Sequence, residues 1–282
     1  MGAVKEIYFD TSAFSDLFRP EADLRGQALR RDMRAAIRGG RFSLVTSGWV
    51  LEELGGLAVE RWDVYKKLVR FILDNVTVVF DDTADLIVHE GRLGRRLKGA
   101  ERAAATAALG NARDAIGRPQ AAVIEAHAVH RKRSRERIHD DQIQRQETLA
   151  RLLASGYDTR DAIGEWTRRS PELIEMWARE VLGGVMTADG RPPLPTDLPI
   201  RNAPSALNYV AISLARVAWY FGEGRRIEEG DDADAHQYTG ACYADVFVSP
   251  DDRLRQICAL VPQAQTHPMP MDEFARRYLG WK

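Results

Sequence analysis

Cysteine is scarce in this chain. Only Cys242 and Cys258 occur among 282 residues, in neither a CxxC nor a Cys/His ligand spacing, which argues against a disulfide framework and a cysteine-based zinc site. Both read as buried, reduced thiols of a cytosolic protein. An excess of one charge is also missing, with 40 Lys plus Arg against 41 Asp plus Glu. No global electrostatic case therefore exists for nucleic acid or an anionic membrane, and any such case must be local. Long hydrophobic runs are absent too. Nothing approaches the roughly 20 apolar residues that span a bilayer, and the opening MGAVKEIYFDTS meets charge before a signal-peptide core can form. The expectation is a soluble, cytoplasmic protein with no membrane partner. What the chain does have is 45% hydrophobic residues, enough for one large domain or a compact domain with a second layer of helices.

The pattern along the chain is that of strands feeding helices. Val4 to Phe9 is short, branched and aromatic, and Asp10-Thr11-Ser12 opens a helical pattern directly after it. Phe42 to Val45 repeats the arrangement, followed by Thr46-Ser47-Gly48 and a helical face of Val50, Leu51, Leu54 and Leu57. Val64 to Leu73 reads as helix and Val76 to Phe80 as a buried strand. Such alternation predicts a parallel α/β sheet. From about Gly91 to Gly156 strand-like runs give way to Ala-, Arg-, Glu- and Gln-rich helical sequence, and Arg191 to Pro204 is a Pro-rich connection. Helix returns from Ser205 to Phe221, with an apolar stripe of Leu207, Val210, Ala211, Leu214, Val217 and Ala218 suited to a core or to a homodimer. The α/β pattern resumes with a helix over Ala235 to Tyr243, a strand over Val246 to Val248 and a helix over Asp251 to Leu260. The predicted organisation is one α/β domain split between 1–98 and 226–282, interrupted by a helical insertion over 99–225.

Ligands of open parallel sheets bind beyond the carboxyl ends of the strands. Asp10 ends the first strand, and Asp251 follows the Val246 strand through Ser249 and Pro250. Glu53 lies on the helix after the second strand, and Asp234 is expected at the head of the helix before the Val246 strand. Carboxylates about 4 Å apart repel by roughly 4 kcal/mol at an effective dielectric near 20, so four together need a counter-charge. Oxygen-only ligation favours Mg²⁺ or Mn²⁺. Such an ion can polarise a phosphodiester and activate a bound water.

The ordered segments FDTSAF, TSGWVLEEL and DADAHQYTGACYADVFVSPDD resemble the PIN-domain ribonucleases. The likeness spans about 80 residues at the start and about 50 at the end and leaves the central helices unexplained. It implies a PIN-like parallel sheet sandwiched by helices, here with a large all-helical insertion. It also implies metal-dependent cleavage of RNA at Asp10, Glu53, Asp234 and Asp251, and it admits an antitoxin or other protein partner. Glu52 competes with Glu53, which precedes Leu54 as in the family's Glu-Leu pair. Asp252 shadows Asp251, and Asp231 and Asp232 shadow Asp234.

Each of these residues also has a structural explanation. Asp10, Asp234 and Asp251 stand at predicted helix starts, where a carboxylate caps exposed N–H groups for about 1 kcal/mol. Glu53 alone would be a solvated helix residue. His236 is a candidate base or phosphate contact, with Asp232 four residues earlier as its possible partner. Ser12 and Ser249 are candidate hydrogen-bond donors or helix caps. For RNA contact the local basic features are Arg131, Lys132, Arg133 and Arg135, and the stretch Arg92 to Arg102. Trp166, Trp177 and Trp219 could stack on bases but fit core positions better. A non-catalytic RNA- or protein-binding module of the same fold is the alternative. An aspartyl phosphotransferase is disfavoured by Ser12, because that chemistry commonly places a second Asp two residues after the first.

Overall fold

The computed structural model describes residues 4–18, 23–80, 83–98, 106–129, 203–222, 229–261 and 266–282, and isolated positions at 101, 131, 132, 176, 179, 196 and 197. In the first strand, β1 (Lys5–Phe9), side chains alternate between two covered faces, so Ile7, Tyr8 and Phe9 are all fully buried. Tyr8 stacks on Phe80 and meets Phe247 edge-on, whereas Phe9 points the other way onto Phe14 and Phe274. Four further strands join it: β2 (Phe42–Ser47), β3 (Val76–Phe80), β4 (Val246–Val248) and β5 (Pro268–Met269). All pair in parallel, in the order β3-β2-β1-β4-β5. The predicted parallel α/β sheet is therefore present.

Strands one, three and four fall where the sequence places them to within a residue. β2 runs two residues beyond its expected end, through Thr46 and Ser47. Both hydroxyls explain this, because Thr46 Oγ1 donates to the Phe9 carbonyl at 3.2 Å and Ser47 Oγ bonds Tyr8 Oη at 2.7 Å. β5 is absent from the sequence reading. It has two residues and one is Pro, which survives at a sheet edge where one N–H has no ladder to serve.

The chain passes β1, β2 and β3 in one direction across the sheet, then crosses back to lay β4 and β5 on the other side of β1. Right-handed crossovers place α2 (Asp23–Arg38) and α5 (Trp62–Asn75) together on one face. The return crossover puts α8 (Pro204–Gly222) and α9 (Glu229–Ala241) on the opposite face, with α6 (Thr83–Leu93) beside them, and α10 (Asp252–Ala259), between β4 and β5, packs against α8 there. Smaller helices are α1 (Thr11–Asp16), α3 (Gly48–Glu53), α4 (Gly55–Glu60), α7 (Thr106–Gly117) and α11 (Met271–Phe274), the last running into a π-helical turn at Ala275–Leu279. α9 lies close to the sheet because Gly240 has no side chain there. A Cβ at that position would come within 3.3 Å of Ser47 Cβ and 3.4 Å of the Tyr8 ring.

Most of the span 99–225 lies outside the described residues, including Trp166, Trp177 and nearly all of the Pro-rich passage. Its last helix, α8, starts on Pro204, a favourable first helical residue, and packs into the same core as the sheet. Tyr209, Val210, Ile212, Leu214 and Ala215 are buried there, with Leu207, Ala211 and Trp219 packed alongside. The apolar stripe expected of this helix is thus covered within the chain as far as it is described. α8 and α9 run antiparallel. At one end of the pair the fully buried Glu90 of α6 accepts from the Ser205 N–H at 2.7 Å and from the Tyr243 hydroxyl, while Ser205 Oγ lies 3.0 Å from Tyr243 Oη. Arg96 lies over the Tyr243 ring and donates to the Cys242 carbonyl. Among the described residues no helix is long and apolar enough to cross a membrane.

Candidate active site

β1 lies between β2 and β4, so the crossover direction reverses between β1 and β4. This is the switch point at which a crevice opens beyond the carboxyl ends of a doubly wound sheet. Asp10 stands at the end of β1 and Ser249 to Asp251 at the end of β4, and the Asp10 N–H donates to the Val248 carbonyl at 3.3 Å. The two acids are therefore neighbours because of topology, not because of sequence proximity.

Asp10 is buried, and its Oδ1 accepts from the Ala13 N–H at 2.6 Å, capping α1 as the sequence suggests. Its pKa is raised to about 7, first by burial. Hydrogen bonds from Ser249 and the Ala13 N–H act against the rise, and the charges of Glu53 and Asp251 add to it. A carboxyl group in this setting titrates near neutrality and is held next to two others.

Glu53 reaches this neighbourhood through a hydrogen-bonded triangle. Thr11 Oγ1 donates to Glu53 Oε2 at 2.5 Å, Gln237 Nε2 donates to the same oxygen, and Gln237 exchanges bonds of 3.1 Å with the Thr11 N–H and hydroxyl. Glu52 is exposed, with its backbone carbonyl 3.3 Å from His127 Nδ1. The two glutamates thus differ in setting, Glu53 half-buried and hydrogen-bonded beside Thr11 and Glu52 exposed.

Asp251 caps α10, its Oδ1 accepting from the Arg253 N–H at 2.8 Å and the Leu254 N–H at 3.2 Å. Ser249 Oγ accepts from the Asp251 N–H at 3.2 Å and also bonds Asp10, so one buried hydroxyl spans both acids. Asp252 is turned out and paired with Arg255. Asp234 sits in the second turn of α9, not at its head. The helix starts five residues earlier, at Glu229, where acidic residues suit the positive end of the helix dipole. The Arg253 Nη2 lies 3.9 Å from Asp234 Oδ2 and 3.9 Å from Asp251 Oδ2, a cation shared by the two.

The four acids therefore gather at one edge, as two overlapping groups. Asp10 is set against Glu53 and Asp251, and Asp234 faces Asp251 across Arg253. Among the described residues, no three His, Cys, Asp or Glu side chains are arranged closely enough to hold a metal ion as they stand. In chemistry the set fits a hard divalent cation, being all oxygen donors around a carboxyl group that burial and like charge disfavour as an anion.

His236 is packed among aromatic rings. It is buried, its Nδ1 is 2.7 Å from Thr83 Oγ1, and its ring stacks on Trp49 at 3.8 Å with Tyr209 on another side. The side chains of Asp231 and Asp232 lie outside the described residues, so the pairing of Asp232 with His236 does too. Ser12 is half-buried in the first turn of α1. Of the basic features, Arg131 and Lys132 are exposed, and Arg133 and Arg135 lie outside the described residues. The stretch from Arg92 is largely engaged internally, Arg95 with Glu101 at 2.6 Å and Arg96 with Cys242 and Tyr243. Both thiols are buried and free, and burial pushes Cys242 up to about 12 and raises Cys258 as well.

Thr11, Gln237 and Arg253 are residues that sequence reasoning missed. Gln237 follows Asp234 by three positions, a spacing that shares a helix face, and that was the one available signal. Compared with family models, curated proteins and solved structures, the chain matches none.

Proposed function

We propose that this protein is a PIN-like, metal-dependent endoribonuclease that hydrolyses RNA phosphodiester bonds at the edge formed by Asp10, Glu53, Asp234 and Asp251. The observation that supports this most directly is Asp10 itself. It is a buried carboxyl group at the switch point of the sheet, crowded by Glu53 and Asp251 and brought to a pKa of about 7. A divalent cation there would relieve that crowding. Mg²⁺ or Mn²⁺, held by Asp10, Asp251 and Asp234, would supply Lewis-acid polarisation of the phosphate and a more acidic water. Ser249 orients Asp10 and Asp251 together, and Thr11 with Gln237 fixes Glu53.

The test is cleavage of a labelled single-stranded RNA by purified protein in Mn²⁺ or Mg²⁺ against EDTA. Cleavage should require metal and fall by about a hundredfold or more in Asp10→Asn and Asp251→Asn, with the melting transition retained. Metal-independent cleavage, or full activity in both variants, would refute the assignment. One observation favours a second reading, a non-catalytic RNA- or protein-binding module. Arg253 already supplies a counter-charge to Asp234 and Asp251. Absence of metal binding by calorimetry together with no cleavage of RNA or DNA would select it.

A further inference from the structure

On the face of the sheet carrying α2 and α5, a cleft of about 520 Å³ is lined by Phe18, Gln27, Arg30, Arg34, Lys67, Arg70 and Asp74. Four cations and one acid face it, in a chain whose net charge is −1. The cations form two rows. Arg30 and Arg34 are one turn apart on α2, about 6 Å along its axis, and Lys67 and Arg70 are one turn apart on α5.

The floor of the cleft is aromatic. The Arg30 guanidinium lies 4.4 Å from the centre of the Phe18 ring and that of Arg34 lies 5.3 Å from Phe71. Stacking holds a guanidinium flat and leaves its N–H edge to donate. Nearby cations are neutralised within the chain, Arg31 by Asp32 and Lys66 by Asp63. Arg34, Lys67 and Arg70 make no ion pair among the described residues. The upper end of the cleft, at Phe18, lies just past the C-terminal end of α1, the helix that Asp10 caps at its other end. Arg30 donates to the Leu17 carbonyl and Arg61 to that of Phe18 at 3.3 Å, and the six residues of α1, about 9 Å of helix, lie between these carbonyls and Asp10.

We infer that this cleft binds the sugar–phosphate backbone of a single strand of RNA and leads it toward the Asp10 site. Two facing rows of donors a phosphate step apart suit one strand, whereas a duplex is too wide for a groove between two packed helices. A concave cleft does not suit a flat membrane surface. The inference rests on the reading that the Asp10 site acts on RNA, so binding is measured apart from cleavage.

The experiment is fluorescence anisotropy of a labelled single-stranded RNA oligonucleotide with the full chain in EDTA, across a salt series. The wild type should bind with a steep salt dependence. Arg34→Gln/Lys67→Gln/Arg70→Gln should bind about tenfold or more weakly, with the slope of log affinity against log salt reduced by about 2, or 0.7 for each lost contact. Lys67→Glu/Arg70→Glu changes two exposed side chains only and guards against misfolding, and it should weaken binding at least as much. Arg31→Gln, at an exposed cation paired with Asp32 outside the cleft, should bind as wild type does. No RNA binding by the wild type, an unchanged slope in the folded variants, or equal competition by polyglutamate would overturn the inference. Groove-dependent binding without metal-dependent cleavage would leave the groove standing and remove the nuclease.

Discussion

Two buried carboxyl groups, at opposite ends of the α8–α9 layer, are treated in opposite ways. Glu90 is met by two donors, the backbone N–H of Ser205 and the Tyr243 hydroxyl, and Arg96 lies over the ring of that tyrosine. Asp10 receives hydrogen bonds from Ala13 and Ser249 but also has Glu53 and Asp251 as neighbours. A buried acid with its lone pairs filled by donors is a strut, whereas one placed among other acids carries a strain that stability alone does not explain. The difference identifies where to look for chemistry, although both residues are equally hidden from solvent.

Substitution can reverse the comparison. Glu90→Ala would orphan the Ser205 N–H and leave the Tyr243 hydroxyl with Ser205 Oγ alone, and should lower stability by about 3 kcal/mol in urea unfolding, the upper end of about 1–3 for an orphaned buried group. Cleavage per folded molecule should be unchanged. A small loss would show that Glu90 is not the strut described.

Asp10→Asn should act in the other direction. Its folded pKa of about 7 lies above the ordinary 3.8, so the native state binds the extra proton between those values. The stabilising contribution of Asp10 is complete below about pH 4 and is lost as pH rises through about 7. The variant should thus be more stable than wild type at pH 8, by about 2 kcal/mol once the Asn cap of α1 is allowed for, and no more stable at pH 4. Parallel pH curves for the two proteins would remove the raised pKa of Asp10 from the account of the site.

His236 sharpens the boundary between strut and site. With its ring against Trp49 and its Nδ1 on Thr83, His236→Ala should destabilise by about 2 kcal/mol while leaving the pH profile of cleavage in place. A shifted profile would return it to the chemistry. The smallest effect expected is from Arg253→Gln, which removes a partly exposed cation 3.9 Å from both Asp234 and Asp251. Mn²⁺ affinity measured by calorimetry should rise severalfold, equivalent to about 1 kcal/mol, and a fall would make Arg253 part of the metal-binding arrangement.

The strands were legible because buried parallel strands need short branched and aromatic runs, and those at Ile7 to Phe9, Val76 to Phe80 and Val246 to Val248 have no competing helical period. Pro268–Met269 lacked any such signal, and its strand character comes only from pairing with β4. The start of α9 was hidden because Gly230, Asp231 and Asp232 look like a turn, and packing against α8 overrides that preference. At the site, Asp10 and Asp251 could be placed from strand ends alone. The contribution of Gln237 could not, since an amide shows its purpose only when Thr11 and Glu53 are brought beside it. The cations of the α2–α5 cleft were missed for a related reason. They are dispersed between residues 30 and 70, whereas sequence inspection favours contiguous runs such as Arg131 to Arg137.

The pairing of β1 with β4 joins Ile7 to Val246, across most of the chain. During synthesis β1 and β2 can pair early, but one edge of β1 stays open until Val246–Val248 emerges, and Asp10 waits equally long for Ser249 and Asp251. A chain stalled anywhere before that point presents an unpaired strand and an isolated aspartate. Whatever this acidic edge does, its assembly is timed to the arrival of β4, so nascent fragments are prone to associate through the open edge well before they can act.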